Sequence, residues 1–295
     1  VVYVVRESAT SSDYDMGGLF VYNNDTIPVD DLEPGIIITG STGTWYRINF
    51  TFINVKWYGV KSTNSDNSEA ISKALEYASK VGKEVLFPYF KDPLICIKEV
   101  KVPNNVSLIG NNTTIHCASP AIRLFNIDGS QDVKFKGFIF DGKSAAIDNN
   151  KKYDSALIYI QNSLDVKVVE CVVQNAGLNT STDDIPGRRC GIYINKSKYC
   201  TVINNTIKNN EIGVLIQAVD SDEKPEETLH ATSYNIISQN IINGSTGDGI
   251  RENSINNNVG YNCIIGNVGG DRINTTADDS IVTLTLGDIA TSEKY

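Results

Sequence analysis

Hydrophobic residues recur at long, regular intervals through the second half of the chain. The repeating units lie 35, 35, 22 and 36 residues apart, counted from the unit that begins at Ala121 to the one that begins at Gly249. Self-similarity on a scale of roughly 20–50 residues is typical of solenoids. Two apolar columns run through the units, one with Phe135, Val168, Ile203, Ile237 and Ile264, the other with Ile139, Val172, Ile207, Ile241 and Val268.

Each unit has the chemistry of short strands and tight turns. The shortest unit, 191–213, alternates Ile, Val and Thr with polar residues and is interrupted by Asn, Gly and Ser. This period of two predicts strands and argues against helical repeats. Amide-bearing or small residues lie between the two columns, where the backbone must bend, and stacked amides there could bond from coil to coil. These residues are Gly137, Glu170, Asn205, Gln239 and Gly266.

One amphipathic helix is predicted ahead of the repeats, over residues 67–81. Its start can be capped by Asn67 or Ser68, and Gly82 is a typical helix-ending residue. A helix at this place would cover the open end of the first coil, whose apolar interior and strand edges are otherwise exposed. The apolar residues that recur at helical spacing are Ile71, Ala74, Leu75 and Ala78.

Residues 1–53 differ from the repeats. Short apolar runs such as GLFVY and TWYRINF alternate with polar turns, which predicts a small β module with Trp45 and Tyr46 in its core. Residues 54–295 then form the solenoid domain.

Composition narrows the choice of partners. The net charge is −9 over 295 residues and no run approaches 18 apolar residues, so we expect neither nucleic-acid binding nor membrane insertion. The six cysteines form no CxxC pair and are predicted to be free buried thiols. With only two distant histidines, we expect no metal site and no cofactor. The acidic stretch 221–232 is predicted to be a surface loop, with calcium capture by Asp220, Asp222 and Glu223 as the alternative.

The order VKWYG, NSEAISKAL, GKEVLFP and VKVPNNVSLIG resembles the start of the pectate-lyase-like right-handed parallel β-helix superfamily. The preceding SSDYDMGGLFVYNN and TGTWYRI resemble the small N-terminal module of many bacteriophage tailspikes. The resemblance implies an all-β fold, a right-handed single-stranded parallel β-helix with an N-terminal capping helix and a small N-terminal β module. It also implies a homotrimer in the virion tail, or extracellular, that binds bacterial capsule or O-antigen. The N-terminus would attach to a phage tail or baseplate protein. Many members cleave the glycan by hydrolysis or elimination.

The longer units carry insertions at one corner of successive coils. Segments 141–155 and 176–190 share this corner, which shrinks to Glu211 and Ile212 in the next coil and returns at 244–248. The pattern therefore predicts a groove. Its charged groups suit a hydroxyl-rich or acidic glycan, and they are Asp141, Asp183, Asp184, Arg188, Arg189, Glu211, Asp248, Arg251 and Glu252.

Asp183, Asp184 and Glu252 are the catalytic candidates. Glycoside hydrolysis needs two carboxylates about 5–10 Å apart, and neighbouring coils are roughly 5 Å apart. Elimination instead needs positive charge on a uronate, which an arginine would supply. The substrate-binding candidates are Asp141, Arg188, Arg189, Glu211, Asp248 and Arg251.

Other interpretations stay open. Charged residues in surface loops are more often solvated or ion-paired than functional. The chain could also be a secreted bacterial polysaccharide lyase, hydrolase or epimerase, or a structural spike or adhesin without catalysis. Whether it is an enzyme is left undecided.

Overall fold

The structure is a computed structural model that describes residues 2–5, 18–24, 35–39, 43–118, 123–143, 155–177, 189–217, 232–254, 257–267, 273–275 and 281–283. Most described residues lie in short strands, together with a 3₁₀ helix, Val55–Tyr58, and helix α1, Ser68–Val81. No helix in the described part of the chain is long and apolar enough to cross a membrane. The strands are β1 (Val2–Val5), β2 (Gly18–Asn23), β3 (Ile37–Thr39), β4 (Thr44–Ile48), β5 (Phe52–Asn54), β6 (Glu84–Leu86), β7 (Leu94–Cys96), β8 (Val100–Lys101), β9 (Val106–Cys117), β10 (Arg123–Asp128), β11 (Gln131–Asp141), β12 (Ser155–Gln161), β13 (Leu164–Val169), β14 (Val172–Gln174), β15 (Arg189–Asn195), β16 (Thr201–Ile203), β17 (Thr206–Lys208), β18 (Ile212–Gln217), β19 (Ile236–Ser238), β20 (Ile241–Asn243), β21 (Ile250–Asn253), β22 (Asn258–Gly260), β23 (Cys263–Ile265), β24 (Ile273–Thr275) and β25 (Ile281–Thr283).

Strands β5 to β25 stack in parallel around three faces. Face 1 is a seven-stranded sheet, in the order β8, β10, β12, β15, β18, β21, β24. The other sheet bends into two faces, and the long strands β9 and β11 run through both. Face 2 contains β5, β6, β9, β11, β13, β16, β19, β22 and β25, and face 3 contains β7, β9, β11, β14, β17, β20 and β23. The predicted parallel β-helix is confirmed. We call the bends corners 1–2, 2–3 and 3–1 after the faces they join.

The predicted helix is also confirmed. The four apolar side chains of α1 predicted to face the core are fully buried, and Gly82, at φ 62°, ends the helix by donating its N–H to the carbonyl of Ala78. At the other end, the carboxylate of Asp66 accepts from both the N–H and the hydroxyl of Ser68. Burial opposes ionisation of Asp66, but the hydrogen bonds from Ser68 and from the Ile97 N–H hold its pKa below the ordinary value. The helix packs on β5, β6, β8 and β9 and thereby covers the first coil.

Strands β1 to β4 form a small antiparallel sheet in the order β1, β2, β4, β3. Its buried residues include Phe20, Thr44 and Arg47, whereas the predicted core residues Trp45 and Tyr46 are only partly buried. The Arg47 guanidinium lies over the rings of Phe20 and Trp57, at 4.6 and 3.8 Å from their centroids. Because Trp57 belongs to the 3₁₀ helix beside α1, the sheet is most buried where it meets the β-helix. The predicted domain boundary at residue 53 falls inside β5, which pairs with β6, and it stays a prediction.

The register of the apolar columns differs from the predicted one. In face 2 the side chain aligned with Val168 is Val202, and Ile203 points outward and is partly buried. Ile241 is also outward and 48% exposed. A slip of one residue moves a side chain to the opposite face of a strand, and both neighbours here are apolar, so the pattern alone did not fix the register. The buried columns are Phe135, Val168, Val202, Ile237 and Val259 in face 2, and Phe140, Val173, Ile207, Ile242 and Ile264 in face 3.

Stacked amides do join the coils at corner 2–3, but of the predicted residues only Asn205 belongs to the stack. The Asn240 side-chain oxygen accepts from the Asn205 N–H at 3.0 Å, and the Asn262 side-chain oxygen accepts from the Asn240 N–H at 3.0 Å. Each of the three side chains also donates back to a carbonyl of the preceding coil. Gln239, by contrast, is an exposed turn residue at φ 57° and is not part of this ladder.

All six cysteines lie in the described part of the chain and are free thiols, five of them buried. Burial raises the pKa of Cys96 and of Cys200 to about 12, so these thiols stay protonated and unreactive at neutral pH.

Candidate functional site

The predicted groove maps to corner 3–1 and the adjoining end of face 1. Of its charged residues, Asp183, Asp184 and Arg188 lie outside the described residues, as does the acidic stretch 221–231. No group of three or more His, Cys, Asp or Glu that could hold a metal occurs among the residues that the structure describes. The remaining predicted site residues fall into four different environments.

Arg189 and Glu211 meet on neighbouring coils. Arg189 begins β15, and its backbone N–H donates to the Glu211 carboxylate at 3.2 Å. The carbonyl of Glu211 in turn accepts from the Gly247 N–H at 2.8 Å, so three consecutive coils stack at this corner. Burial lowers the pKa of the Arg189 guanidinium, and the Glu211 carboxylate opposes that shift. An arginine starts from so high a pKa that the group stays charged.

Asp248 and Arg251 form the second pair, one coil further on. The Arg251 Nε donates to the Asp248 carboxylate, whose side chain is 9% exposed, whereas the Arg251 side chain is 31% exposed. Arg251 stands on the outer side of face 1, aligned with Leu215. The buried carboxylate therefore fixes a guanidinium that still reaches solvent.

The outer side of face 1 is apolar on the three strands that precede β21. Tyr159, Tyr193 and Leu215 are aligned along it and buried, in a cluster separate from the main core. At its first coil the Arg123 guanidinium lies 3.7 Å from the centroid of the Tyr159 ring. Arg251 and Asp248 thus stand at the opposite end of a buried apolar strip.

Asp141 lies in a polar cluster of its own at the end of β11. Its carboxylate accepts from Gln174 and Asn175, both at 3.0 Å, and from the Lys143 N–H at 2.8 Å. Burial alone would raise the pKa of Asp141, but these hydrogen bonds and the nearby imidazole hold it below its ordinary value. The imidazole is that of His116, with Nε2 3.6 Å from the carboxylate, and burial lowers the pKa of His116.

Glu252 does not belong to this surface. Adjacent residues of a strand point to opposite sides, so Arg251 is outward and Glu252 inward. Glu252 is aligned with Ile216, is completely buried, and accepts a hydrogen bond from the Asn257 amide at 2.9 Å. The sequence-based hypothesis of a catalytic Glu252 therefore needs correction, because an interior carboxylate cannot touch a glycan outside the coil.

Corner 1–2 carries an aromatic feature that the sequence-based reasoning missed. Tyr199 and Tyr234 stack on successive coils with ring centroids 5.6 Å apart and planes inclined by 11°. Both are more than half exposed. An alignment of the coils could have revealed this pair. The same turn position holds Asn105, Asp132 and Asp165 in the preceding coils, so tyrosine there departs from the pattern.

No family model and no curated protein matches the sequence. Solved structures do match, among them the tailspike protein of Acinetobacter baumannii phage AM24, at 14% identity over 92% of this chain with a TM-score of 0.53. ORF18 of Geobacillus virus E2 matches at 17% identity over 79% of this chain with a TM-score of 0.52. The tailspike of Escherichia coli bacteriophage HK620, in complex with a hexasaccharide, matches at 10% identity over 85% of this chain with a TM-score of 0.50.

These matches extend over about half of each relative, namely 50%, 47% and 54% of the three chains. At such low identity they establish the fold and not the activity. The chain is similar in structure to phage tailspikes, as its sequence motifs predicted.

Proposed function

We propose that this protein is a tailspike-like receptor-binding protein that binds a bacterial surface polysaccharide, capsule or O-antigen, at corner 3–1. The observation that carries the proposal is the set Arg189, Glu211, Asp248 and Arg251, which lies on consecutive coils at this corner and the adjoining end of face 1. The tailspike-like fold supports it, and the HK620 tailspike has been solved with a hexasaccharide.

The chemistry of this corner favours an acidic glycan. A guanidinium forms paired, charge-assisted hydrogen bonds with a carboxylate, and Arg251 is held in position by Asp248. Glu211 supplies acceptors for sugar hydroxyls. Asp183 and Asp184 remain the proposed acid and base if the glycan is cleaved, with Arg188 as a further substrate contact. Glu252 is not carried into the site.

We also propose a parallel homotrimer attached through residues 1–53 to a phage tail or baseplate protein, which would place the protein in the virion tail. Three outward isoleucines of the later coils, Ile236, Ile241 and Ile265, are 42–48% exposed, and covering them would favour association. Light scattering should give about three times 32.3 kDa. A monomer at micromolar concentration would remove the trimer from the proposal.

The binding proposal is tested with an array of acidic and neutral capsule and O-antigen oligosaccharides. Arg251→Ala should weaken binding of the acidic ligands about tenfold or more, because it removes a charge-assisted contact. Lys73→Ala, on the exposed side of α1, removes the same charge far from the corner and should change nothing. Unchanged acidic-glycan binding by Arg251→Ala would contradict the proposed site.

Cleavage is tested separately, with a reducing-end assay for hydrolysis and the absorbance of an unsaturated uronate for elimination. If the glycan is cleaved, Asp184→Asn should slow turnover by about 10² to 10⁴ while binding persists. A chain that binds without releasing product would be the non-catalytic spike.

A further inference from the structure

The two tyrosines of corner 1–2 adopt a backbone conformation that disfavours them. Tyr199 and Tyr234 have φ values of 59° and 60°. Only a few per cent of non-glycine residues have positive φ, and for a bulky side chain it is a strained exception. The tyrosines are also 56% and 53% exposed, so they gain little from burial. Neither the backbone nor the core explains tyrosine at these positions.

The same position in the preceding coils shows what the turn itself requires. Asn105, Asp132 and Asp165 occupy it, at φ 55°, 55° and 50°. Asn and Asp tolerate this conformation because their short polar side chains bond locally. The fold is therefore satisfied by Asn or Asp, and the change to tyrosine in two successive coils points to a role outside the turn.

A polar depression lies directly beside the aromatic pair. It has a volume of about 260 Å³ and is lined by the polar residues Asn105, Ser107, Asp132, Lys134, Asp165 and Lys167 together with Val133. Asp165 aligns with Tyr199 in the next coil, so the backbone of Tyr199 lies one strand spacing, roughly 4.8 Å, from a residue that lines the depression. The depression is slightly smaller than sites for drug-sized ligands, which begin near 300 Å³, and it suits a single sugar ring.

The depression carries two carboxylates and two ammonium groups, and some of them are free to bind a ligand. Lys167 pairs with Asp165 at 2.8 Å, whereas the side chains of Asp132 and Lys134 make no hydrogen bond or ion pair with a described residue. Two carboxylates facing two ammonium groups favour a neutral ligand with many hydroxyls. Such a balance, in a chain of net charge −9, does not suit the phosphates of a nucleic acid.

From these observations we propose that corner 1–2 is a second saccharide-binding surface, which takes a neutral, hydroxyl-rich oligosaccharide. The apolar C–H face of one sugar packs on the Tyr199–Tyr234 pair, and the hydroxyls of the adjoining sugar bind Asp132, Lys134 and Asp165. This surface is distinct from corner 3–1. It rests on the proposed function only in that the ligand is a glycan.

The test uses the full chain, the same oligosaccharide array, and calorimetry with the neutral oligosaccharide that binds most tightly. The double variant Tyr199→Asn/Tyr234→Asn should bind it about tenfold or more weakly, because both rings are lost. Its melting temperature should stay equal or rise, because Asn suits the positive φ. The variant Tyr199→Phe/Tyr234→Phe, which keeps the rings, should bind within about twofold of the parent.

Tyr261→Asn is the matched control. Tyr261 is also exposed and also has a positive φ, 56°, but it lies at corner 2–3, so its replacement should leave binding unchanged. Unaltered binding by the double Asn variant would overturn the inference, as would a parent chain that binds no neutral oligosaccharide. Loss of the trimer mass in the double Asn variant would overturn it too, because the surface would then join copies of the chain. If acidic ligands still bind at corner 3–1 through Arg251 when any of these results is obtained, only this inference fails and the proposed function is unaffected.

Discussion

The two halves of the β-helix fill corner 2–3 in different ways. In the early coils the corner is aromatic, with Phe138 packed 5.0 Å from Phe87 and 5.2 Å from Phe140, measured between ring centroids. In the later coils the same position holds Asn205, Asn240 and Asn262. Cys171 holds this position in the coil between the aromatic residues and the asparagines, and its N–H donates to the Asn205 side chain at 2.9 Å.

Strand length also differs between the aromatic half and the half with the amide ladder. Strands β9 and β11 of the aromatic half continue through the corner for 12 and 11 residues, with a register shift between Lys136 and Phe138, whereas the strands beside the amide ladder have three residues each. Burial of apolar area is a non-directional force, but an amide that both donates and accepts ties each coil to the next in one register. The later coils are therefore held by directed bonds and the early ones by buried area.

The largest effect should come from a charge placed in the laddered half. Val202→Asp would bury a carboxylate with no partner in the face 2 column, at a cost of several kcal/mol against a typical total stability of about 5–15 kcal/mol. We expect little folded protein by circular dichroism and gel filtration. Ile203→Asp, one residue along and outward, should fold. If both variants behave alike, the observed register is wrong.

Removing a ring from the aromatic half should be the next largest change. The Phe135 centroid lies 5.4, 6.4 and 5.9 Å from those of Phe125, Phe138 and Phe140. Phe135→Ala should lower the free energy of unfolding by about 3–5 kcal/mol, as measured by urea denaturation. Phe135→Leu, which keeps most of the volume, should cost clearly less. Equal losses of unfolding free energy in the two variants would show that this half is stabilised by the shape of the ring and not by the buried volume.

Breaking the ladder should cost somewhat less. Asn240→Ala leaves the Asn205 N–H and the Val202 carbonyl without their partners, for an expected loss of about 2–3 kcal/mol. Gln239→Asn, the neighbouring exposed turn residue, should be nearly neutral because Asn also accepts positive φ. Hydrogen exchange should accelerate in the coils on both sides of Asn240. Faster exchange in only one of these coils would argue against coupling between neighbouring coils.

The sequence predicted the features that depend on period and on turn residues. The helix with its Gly82 end, the parallel coils and the amide at Asn205 all follow from patterns longer than a single residue. Register did not follow, because strands such as Thr201–Ile203 carry two adjacent apolar residues and either could face inward. Glu252 was placed at the surface because it is charged, although it follows the outward Arg251 directly and adjacent residues of a strand point to opposite sides. The pairing of Arg251 with the buried Asp248 depends on which residues face out, so the two could only be proposed as neighbours.

The smallest expected effect is electrostatic and tests the boundary between the two halves, where Asp141 of β11 meets Gln174 of the next coil. Because the pKa of Asp141 is lowered in the folded state, the unfolded chain binds more protons as the pH falls toward 4 and below. Its contribution is therefore fully present above the ordinary carboxyl pKa and is lost as the pH falls through the lowered one. Asp141→Asn should be less stable than the parent at pH 7, because the amide NH₂ would face the donors that now bind the carboxylate.

That difference should shrink toward pH 3 in urea denaturation, since the parent then loses the same charge. Asp132→Asn is the matched control, because this exposed carboxylate makes no hydrogen bond or ion pair with a described residue, so its replacement should leave the stability at pH 7 unchanged. A difference between Asp141→Asn and the parent that stays constant from pH 7 to pH 3 would mean that shape, and not charge, joins the aromatic half to the laddered one at this point.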